Sequence, residues 1–179
     1  MSGGLIVTAE LPPDLHSWAT RLRTAHYPAE RNLLEAHVTL FHALPPGSEP
    51  ELKGRLAAIT AEYAPVAAHL DGVMPLGGGT ALRLTSPGML ALRDRLAEEL
   101  HGLLTPQDWQ EPQLHVTVQN KVSNRAAKEL QATLAAQIEP RGFRFSGLAL
   151  HRYRGGPWAP VRRWPFRGKS EVDRATSRP

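Results

Sequence analysis

The chain has 179 residues, no cysteine and a formal net charge of +4. That length suits one domain, or two small lobes sharing a core, and can bury a substantial apolar interior. The absence of Cys excludes disulfides, thiolate metal sites and a cysteine nucleophile. No apolar run approaches the ~18 residues of a membrane span, and the stretch from Met1 to Leu11 lacks the charged and long apolar regions of a signal peptide. A cytoplasmic protein with no membrane association is expected.

The charge is uneven. Residues 141–179 carry 10 Lys+Arg and 2 Asp+Glu, a balance of +8, which leaves −4 for the rest of the chain. Seven arginines and no acid lie between Arg141 and Arg167. Such a segment attracts phosphates or solubilises the surface.

In chain order, Leu5 to Leu11 reads as a strand stopped by Pro12-Pro13. Asp14 to His26 has helical spacing, with Leu15, Trp18, Leu22 and Ala25 on one face, and Pro28 ends it. His37 to His42 is a short β-rich run closed by Pro45-Pro46-Gly47. Glu51 to Tyr63 reads as a second helix through Leu52, Leu56, Ile59 and Tyr63. Val66 to Met74 is extended, Gly77-Gly78-Gly79 is a turn, and Ala81 to Thr85 is a strand. A third helix is expected over Gly88 to Leu104 and a strand over Leu114 to Gln119. Ser123 caps a fourth helix running to Ile138. Phe143 to Tyr153 reads as one strand, Gly155-Gly156-Pro157 as a turn and Val161 to Phe166 as the return strand. Lys169 to Pro179 reads as a disordered tail. Sequential strand pairs mixed with helices argue for an α+β fold rather than a doubly wound parallel sheet, and no linker divides the chain.

Two segments are alike: Ala36-His37-Val38-Thr39-Leu40 and Leu114-His115-Val116-Thr117-Val118. With 8 His and 11 Thr in the chain, roughly 0.5 His-x-Thr triplets are expected by chance, and ~0.08 when the flanking positions must be apolar, so two such copies are a signal. Along a strand, residues i and i+2 share a face. His37 therefore stands beside Thr39 and His115 beside Thr117, while the aliphatic residues face a core. One imidazole can accept a proton while another donates one, and threonine hydroxyls can donate to phosphate oxygens. Two imidazoles and two hydroxyls on one cleft suit in-line displacement at a phosphodiester. The spacing leaves either histidine free to be the acid or the base.

This pair resembles the signature of the 2H phosphoesterase superfamily, the LigT-like or 2'-5' RNA ligase-like proteins, whose motif is His-apolar-Thr/Ser-apolar twice. The Leu11-Pro12-Pro13 start, the Gly-rich turn before the third helix, and the stretch from Tyr153-Arg154-Gly155-Gly156-Pro157-Trp158 to Trp164-Pro165-Phe166 are similar to the family as well. The resemblance implies a bilobal α+β fold over residues 1–168. Two pseudo-symmetric lobes with antiparallel sheets would surround a central cleft, followed by the tail at 169–179. It implies a metal-independent enzyme with no cofactor that acts on 2',3'-cyclic phosphates or 2'-5' linkages of RNA or nucleotides, reversible as 2'-5' ligation. His37 and His115 would be the acid-base pair, and Thr39 and Thr117 would hold the phosphate. A monomer is expected.

Tyr153, Arg154, Trp158 and Arg162 lie in or near the Gly-rich turn, where an aromatic can stack on a base and an arginine can bind phosphate. The alternative is that they pack a hairpin and face water. Arg83 points opposite Leu82 and Leu84 and is a further candidate for the substrate, as are Asn120 and Lys121. His42 stands at an odd offset from His37, on the opposite face. His16, His26, His69, His101 and His151 have no motif partners and read as packing or surface residues. No H-E-x-x-H, P-loop, G-x-G-x-x-G or G-x-S-x-G occurs. The competing functional classes are a non-catalytic RNA- or nucleotide-binding module built on the same cleft, and a metal-dependent hydrolase.

Overall fold

A computed structural model of the chain describes residues 3–170. Glu171–Pro179, most of the expected tail, lie outside the described residues. The strands are β1 (Leu5–Glu10), β2 (Val38–Leu44), β3 (Val66–Leu76), β4 (Gly79–Thr85), β5 (His115–Gln119), β6 (Arg141–Phe145), β7 (Gly147–Tyr153) and β8 (Trp158–Pro165). The helices are α1 (Pro13–His26), α2 (Glu49–Glu62), α3 (Pro87–Glu99), the single turn α4 (Pro106–Trp109) and α5 (Asn124–Gln137).

Helix starts follow local chemistry. Prolines occupy the first turn of α1, α2 and α3, where a missing N–H costs nothing. Ser86 caps α3 by accepting from the Met89 N–H, and Ser123 caps α5 by accepting from the Ala126 N–H. The expected third helix stops at Glu99 rather than Leu104. Gly102 and Pro106 cannot extend it, so the chain turns through a 3-10 segment, His101–Leu103, into α4. The expected long strand over Phe143 to Tyr153 is two strands in different sheets, parted at Ser146. The Ser146 N–H donates to the Glu10 carbonyl there. Gly147 is needed at this switch, because a Cβ would lie 2.3 Å from the Trp164 carbonyl oxygen.

The fold is α+β with two four-stranded sheets, both antiparallel throughout. One has the order β2-β1-β7-β8 and the other β5-β4-β3-β6. The units β1-α1-β2-α2 and β4-α3-β5-α5 repeat one pattern: first strand, helix, antiparallel motif strand, helix. In each sheet the motif strand is therefore at the edge, beside the strand that opens its unit. Helices α3 and α5 pack behind the second sheet and α2 behind β7 and β8. Buried residues of both sheets join one hydrophobic cluster, from Leu5, Val38 and Leu148 to Leu82, Val116 and Phe145. No helix among the described residues is long and apolar enough to cross a membrane.

The two motif edges are covered crosswise. Helix α1 of the first unit lies along β5, and its buried Arg23 donates from Nη1 to the Thr117 carbonyl at 2.7 Å. The same guanidinium donates from Nε to Leu34 O and Asn32 Oδ1, at 3.1 and 3.2 Å. On the second unit, α4 lies against β2. The buried Arg93 of α3 donates from Nε to the Leu40 carbonyl at 3.1 Å and from Nη2 to the Asp108 carbonyl. The Asp108 carboxylate accepts from the His42 and Ala43 N–H groups at 2.8 and 3.0 Å, and from His42 Nδ1 at 3.2 Å. Side chains from one half thus satisfy the strand edge that carries the other half's motif, so those backbone groups are neither orphaned nor free to recruit a foreign strand.

Asp108 is 1% exposed. Burial pushes its carboxyl up, and the bonds from His42 and Ala43 outweigh that, so its pKa lies below the ordinary 3.8. Its contribution to stability is present above about pH 4 and lost as pH falls through the lowered native value. Asp108→Ala orphans two backbone donors beside a buried guanidinium and is expected to cost about 3 kcal/mol, read as a drop in the urea midpoint at pH 7. An unchanged midpoint would contradict the edge-capping role.

Candidate active site

His37 immediately precedes β2 and His115 opens β5. In both copies the ring is turned by the same local bond: His37 Nδ1 lies 2.8 Å from the Glu35 carbonyl and His115 Nδ1 lies 2.7 Å from the Gln113 carbonyl. A carbonyl oxygen only accepts, so Nδ1 carries the hydrogen in each ring and Nε2 is left for chemistry. This i to i−2 bond fixes tautomer and orientation using backbone alone, and it occurs identically in the two halves.

Each imidazole has the expected hydroxyl beside it. Thr117 follows His115 by two residues on β5, and β5 pairs with β4 so that Thr117 faces Ala81 and His115 faces Arg83. Cross-strand partners point to the same side, so Arg83, exposed on β4, stands beside His115 on the same face. Thr39 pairs with Thr8 of β1. The buried Thr8 hydroxyl is 3.0 Å from His151 Nε2 on β7.

Trp158, the first residue of β8, packs against the His37 ring with centroids 4.5 Å apart and planes tilted by 56°. It also meets the His151 ring at 5.3 Å. A cavity of about 240 Å³ opens beside these rings, lined by His37, His151, Trp158, Leu33, Leu34 and Arg163 among others. Arg163 lies on this side and grips Glu10 through Nε and Nη2 at 2.9 and 3.3 Å. Arg162 pairs with Leu150 on the other side of the strand, and its guanidinium lies 5.6 Å from the Trp164 ring centroid. Tyr153 pairs with Trp158 across the hairpin and packs on Gly3. Arg154 is exposed in the turn, where its N–H donates to the Pro157 carbonyl. Asn120 and Lys121 form the tight turn after β5, with Asn120 Oδ1 accepting from the Lys121 N–H at 2.8 Å and Lys121 at φ +59°. Of the candidates in the C-terminal hairpin, the structure brings Trp158 to His37, leaves Tyr153 and Arg154 exposed at the hairpin's end, and turns Arg162 to the other side of the strand.

Two rings of the site are held well below the ordinary imidazole value. Burial, with the charges of Arg23, His151 and His115, pushes the His37 pKa down to about 4, against a raising effect of the Glu35 carbonyl. Burial, with Arg163, lowers His151 to about 4 as well. His37 is therefore a neutral imidazole at neutral pH, with a free Nε2 lone pair: the state of a general base. Strands β2 and β5 lie in contact with each other, which brings the two motifs to one cleft. Among the described residues, no three or more His, Cys, Asp or Glu side chains converge as a metal site would require.

Three residues of this neighbourhood escape a motif search: Arg23, Arg93 and His151. The arginines had a signal. Leu15, Ala19 and Arg23 form one i, i+4 row of α1, and Met89 and Arg93 one of α3, all buried. A cation at an apolar repeat position must find acceptors inside. The buried face of α1 is correspondingly rotated from the Leu15-Trp18-Leu22-Ala25 stripe towards Ala19 and Arg23. His151 had no such mark, because its neighbours Thr8 and Trp158 are distant in sequence.

With the geometry in place, comparison with known proteins identifies the class. Residues 11–157 match the family described as the 2'-5' RNA ligase superfamily. The chain belongs to that superfamily, the 2H phosphoesterases, and its two-sheet α+β architecture is the LigT-like two-lobe fold. Among solved structures, TT0787 of Thermus thermophilus is 19% identical and superposes with a TM-score of 0.65, covering 93% of this chain and 100% of that one. LigT of E. coli in complex with 3'-AMP is 18% identical, with a TM-score of 0.61 and coverage of 93% and 99%. A further structure described as a phosphoesterase is 16% identical, with a TM-score of 0.59 and coverage of 93% and 99%. A search of curated proteins finds no significant match.

Histidines held neutral against an unfolded value of 6.5 make the native state bind fewer protons than the unfolded state below that value. Their contribution to stability is present above pH 6.5 and lost as pH falls through about 4. In a titration followed by imidazole NMR, His37 is expected to stay neutral, with hydrogen on Nδ1, down to about pH 4. A midpoint near 6.5 would refute the burial argument.

Proposed function

We propose that the protein is a metal-independent phosphoesterase acting on 2',3'-cyclic phosphates or 2'-5' phosphodiester linkages of RNA or nucleotides. The observation that carries this reading is the duplicated bond from Nδ1 to the carbonyl two residues back. On two facing motif strands it leaves two Nε2 atoms unengaged, each beside a threonine. Family membership supplies the reaction class. Relatives whose structures are described as E. coli LigT with 3'-AMP, ATP and NADP+ support a nucleotide ligand.

His37, neutral at pH 7, takes a proton from water through Nε2. The water oxygen forms a bond to phosphorus while one ring P–O bond of the cyclic phosphate breaks. The departing ribose oxygen receives the proton held at His115 Nε2, leaving a phosphomonoester and a free hydroxyl. Thr39 and Thr117 donate to the non-bridging oxygens, and Arg83, beside His115, stabilises the charge that builds there. An RNA 5'-hydroxyl in place of water gives a 2'-5' linkage by the same proton transfers, and the reverse cleaves it. Trp158 holds the His37 ring, and the cavity beside it accommodates the base.

The test is turnover of the four nucleoside 2',3'-cyclic monophosphates in EDTA, with the 2'- and 3'-phosphate products separated. Wild type is expected to be active with a bell-shaped pH profile. His37→Ala and His115→Ala are each expected to lose about 10²–10⁴-fold in kcat. Full activity in either variant, or dependence on added metal, would overturn the mechanism. Nucleotide affinity without turnover, unaffected by both changes, would favour a binding module.

A further inference from the structure

The second sheet has one face packed on α3 and α5 and the other open, and the open face begins at His115. Strand register orders the side chains beyond it. Arg83 lies between His115 of β5 and Gly72 of β3. Two residues on, Thr85 pairs with His69, which pairs with Gly142 of β6. Two residues further, Ala67 pairs with Arg144. His115 with Arg83, then His69, then Arg144 therefore form a diagonal across four strands. Each step is about 7 Å along a strand and about 5 Å sideways. Arg83, His69 and Arg144 are all exposed, and the places between them are filled by Gly72, Gly142 and Ala67, which leave the floor low.

Asp71 is the only acid in these four strands, and it is already engaged. Its Oδ1 accepts from His69 Nδ1 at 2.7 Å and its Oδ2 from the Thr85 hydroxyl. The Thr85 bond above all, then His69 and the charge of Arg83, hold its carboxyl below the usual aspartate range. The carboxylate thereby fixes the His69 ring and leaves Nε2 for a ligand. Arg83 and Arg144 make no ion pair with a described residue, unlike Arg141, which meets Asp14 at 3.3 Å.

We propose that this diagonal is a track for the phosphodiester backbone of an oligonucleotide, the phosphate adjoining the reacting one lying at His69 and the next towards Arg144. The proposal rests on the phosphoesterase reading for the position of the reacting phosphate. Charge complementarity and continuity with the motif cleft commit the surface to a polyanionic strand rather than an acidic protein.

Two measurements test it. The first compares kcat/KM for a dinucleotide ending in a 2',3'-cyclic phosphate with that for the mononucleotide. Wild type should prefer the dinucleotide by about tenfold, and His69→Gln/Arg144→Gln should lose most of that preference. Equal values in wild type, or a preference the variant keeps, would overturn the track. The second measures binding of a fluorescent oligouridylate against salt, without turnover. Arg144→Gln should lower the slope of log K against log salt by about 0.7, one phosphate contact on a single strand. An unchanged slope, or polyglutamate binding as tightly as oligouridylate, would overturn it. A protein inert towards every cyclic phosphate but with an Arg144-dependent slope would refute the reaction while supporting the track. Both positions are exposed on strands, and an unchanged melting temperature separates loss of contact from misfolding.

Discussion

Everything in the cleft depends on two strand edges that have no strand to pair with. His37 leads into β2 and His115 opens β5, and each of these strands lies at an edge of its sheet. An open edge of this kind costs unpaired backbone groups and invites aggregation. Here each edge is closed by a buried arginine from the opposite half: Arg23 on Thr117 O, and Arg93 on Leu40 O. A charged hydrogen bond in such a place contributes about 1.5–3 kcal/mol. Its position matters more than its size, because both acceptors, Thr117 O and Leu40 O, lie within the His-x-Thr segments themselves. Arg23 also binds the Leu34 carbonyl, three residues before His37. One guanidinium therefore ties the approach to the first motif to the body of the second.

The same arrangement sets the protonation states. Burial against Trp158 and a fixed positive charge at Arg23 hold His37 neutral. The two motifs are near-identical in sequence and in their carbonyl bonds, yet unequal in environment: the first is packed under an indole, and the second opens beside Arg83 on an exposed sheet face. On the proposed mechanism, that inequality is what distinguishes two copies of one motif.

Much of this was legible in the residues. Periodicity placed the long helices, and the paired His-x-Thr marked the cleft, because i and i+2 on a strand must share a face. The α+β reading with antiparallel pairing rests on the same patterns. What could not be read was governed by distant contacts. The break at Ser146, which sends β6 and β7 to different sheets, depends on a bond to Glu10. The exchange of Arg162 for Arg163 at the cavity comes from the register shift between Leu150 and His151. The capping of β2 by Asp108 joins residues 66 apart. Pattern reading reports which side of an element is apolar; it does not report which partner supplies a missing hydrogen bond.

If the halves are locked into one catalytic unit, the histidines should fail together rather than separately. The most direct measurement is a double-mutant cycle on kcat with His37→Ala, His115→Ala and the double variant, using one cyclic nucleotide at a fixed pH. Because groups acting in one concerted step are strongly non-additive, the double variant should be no slower than the worse single variant within about threefold. Losses that multiply across the two sites would mean the motifs act independently, and would contradict the account.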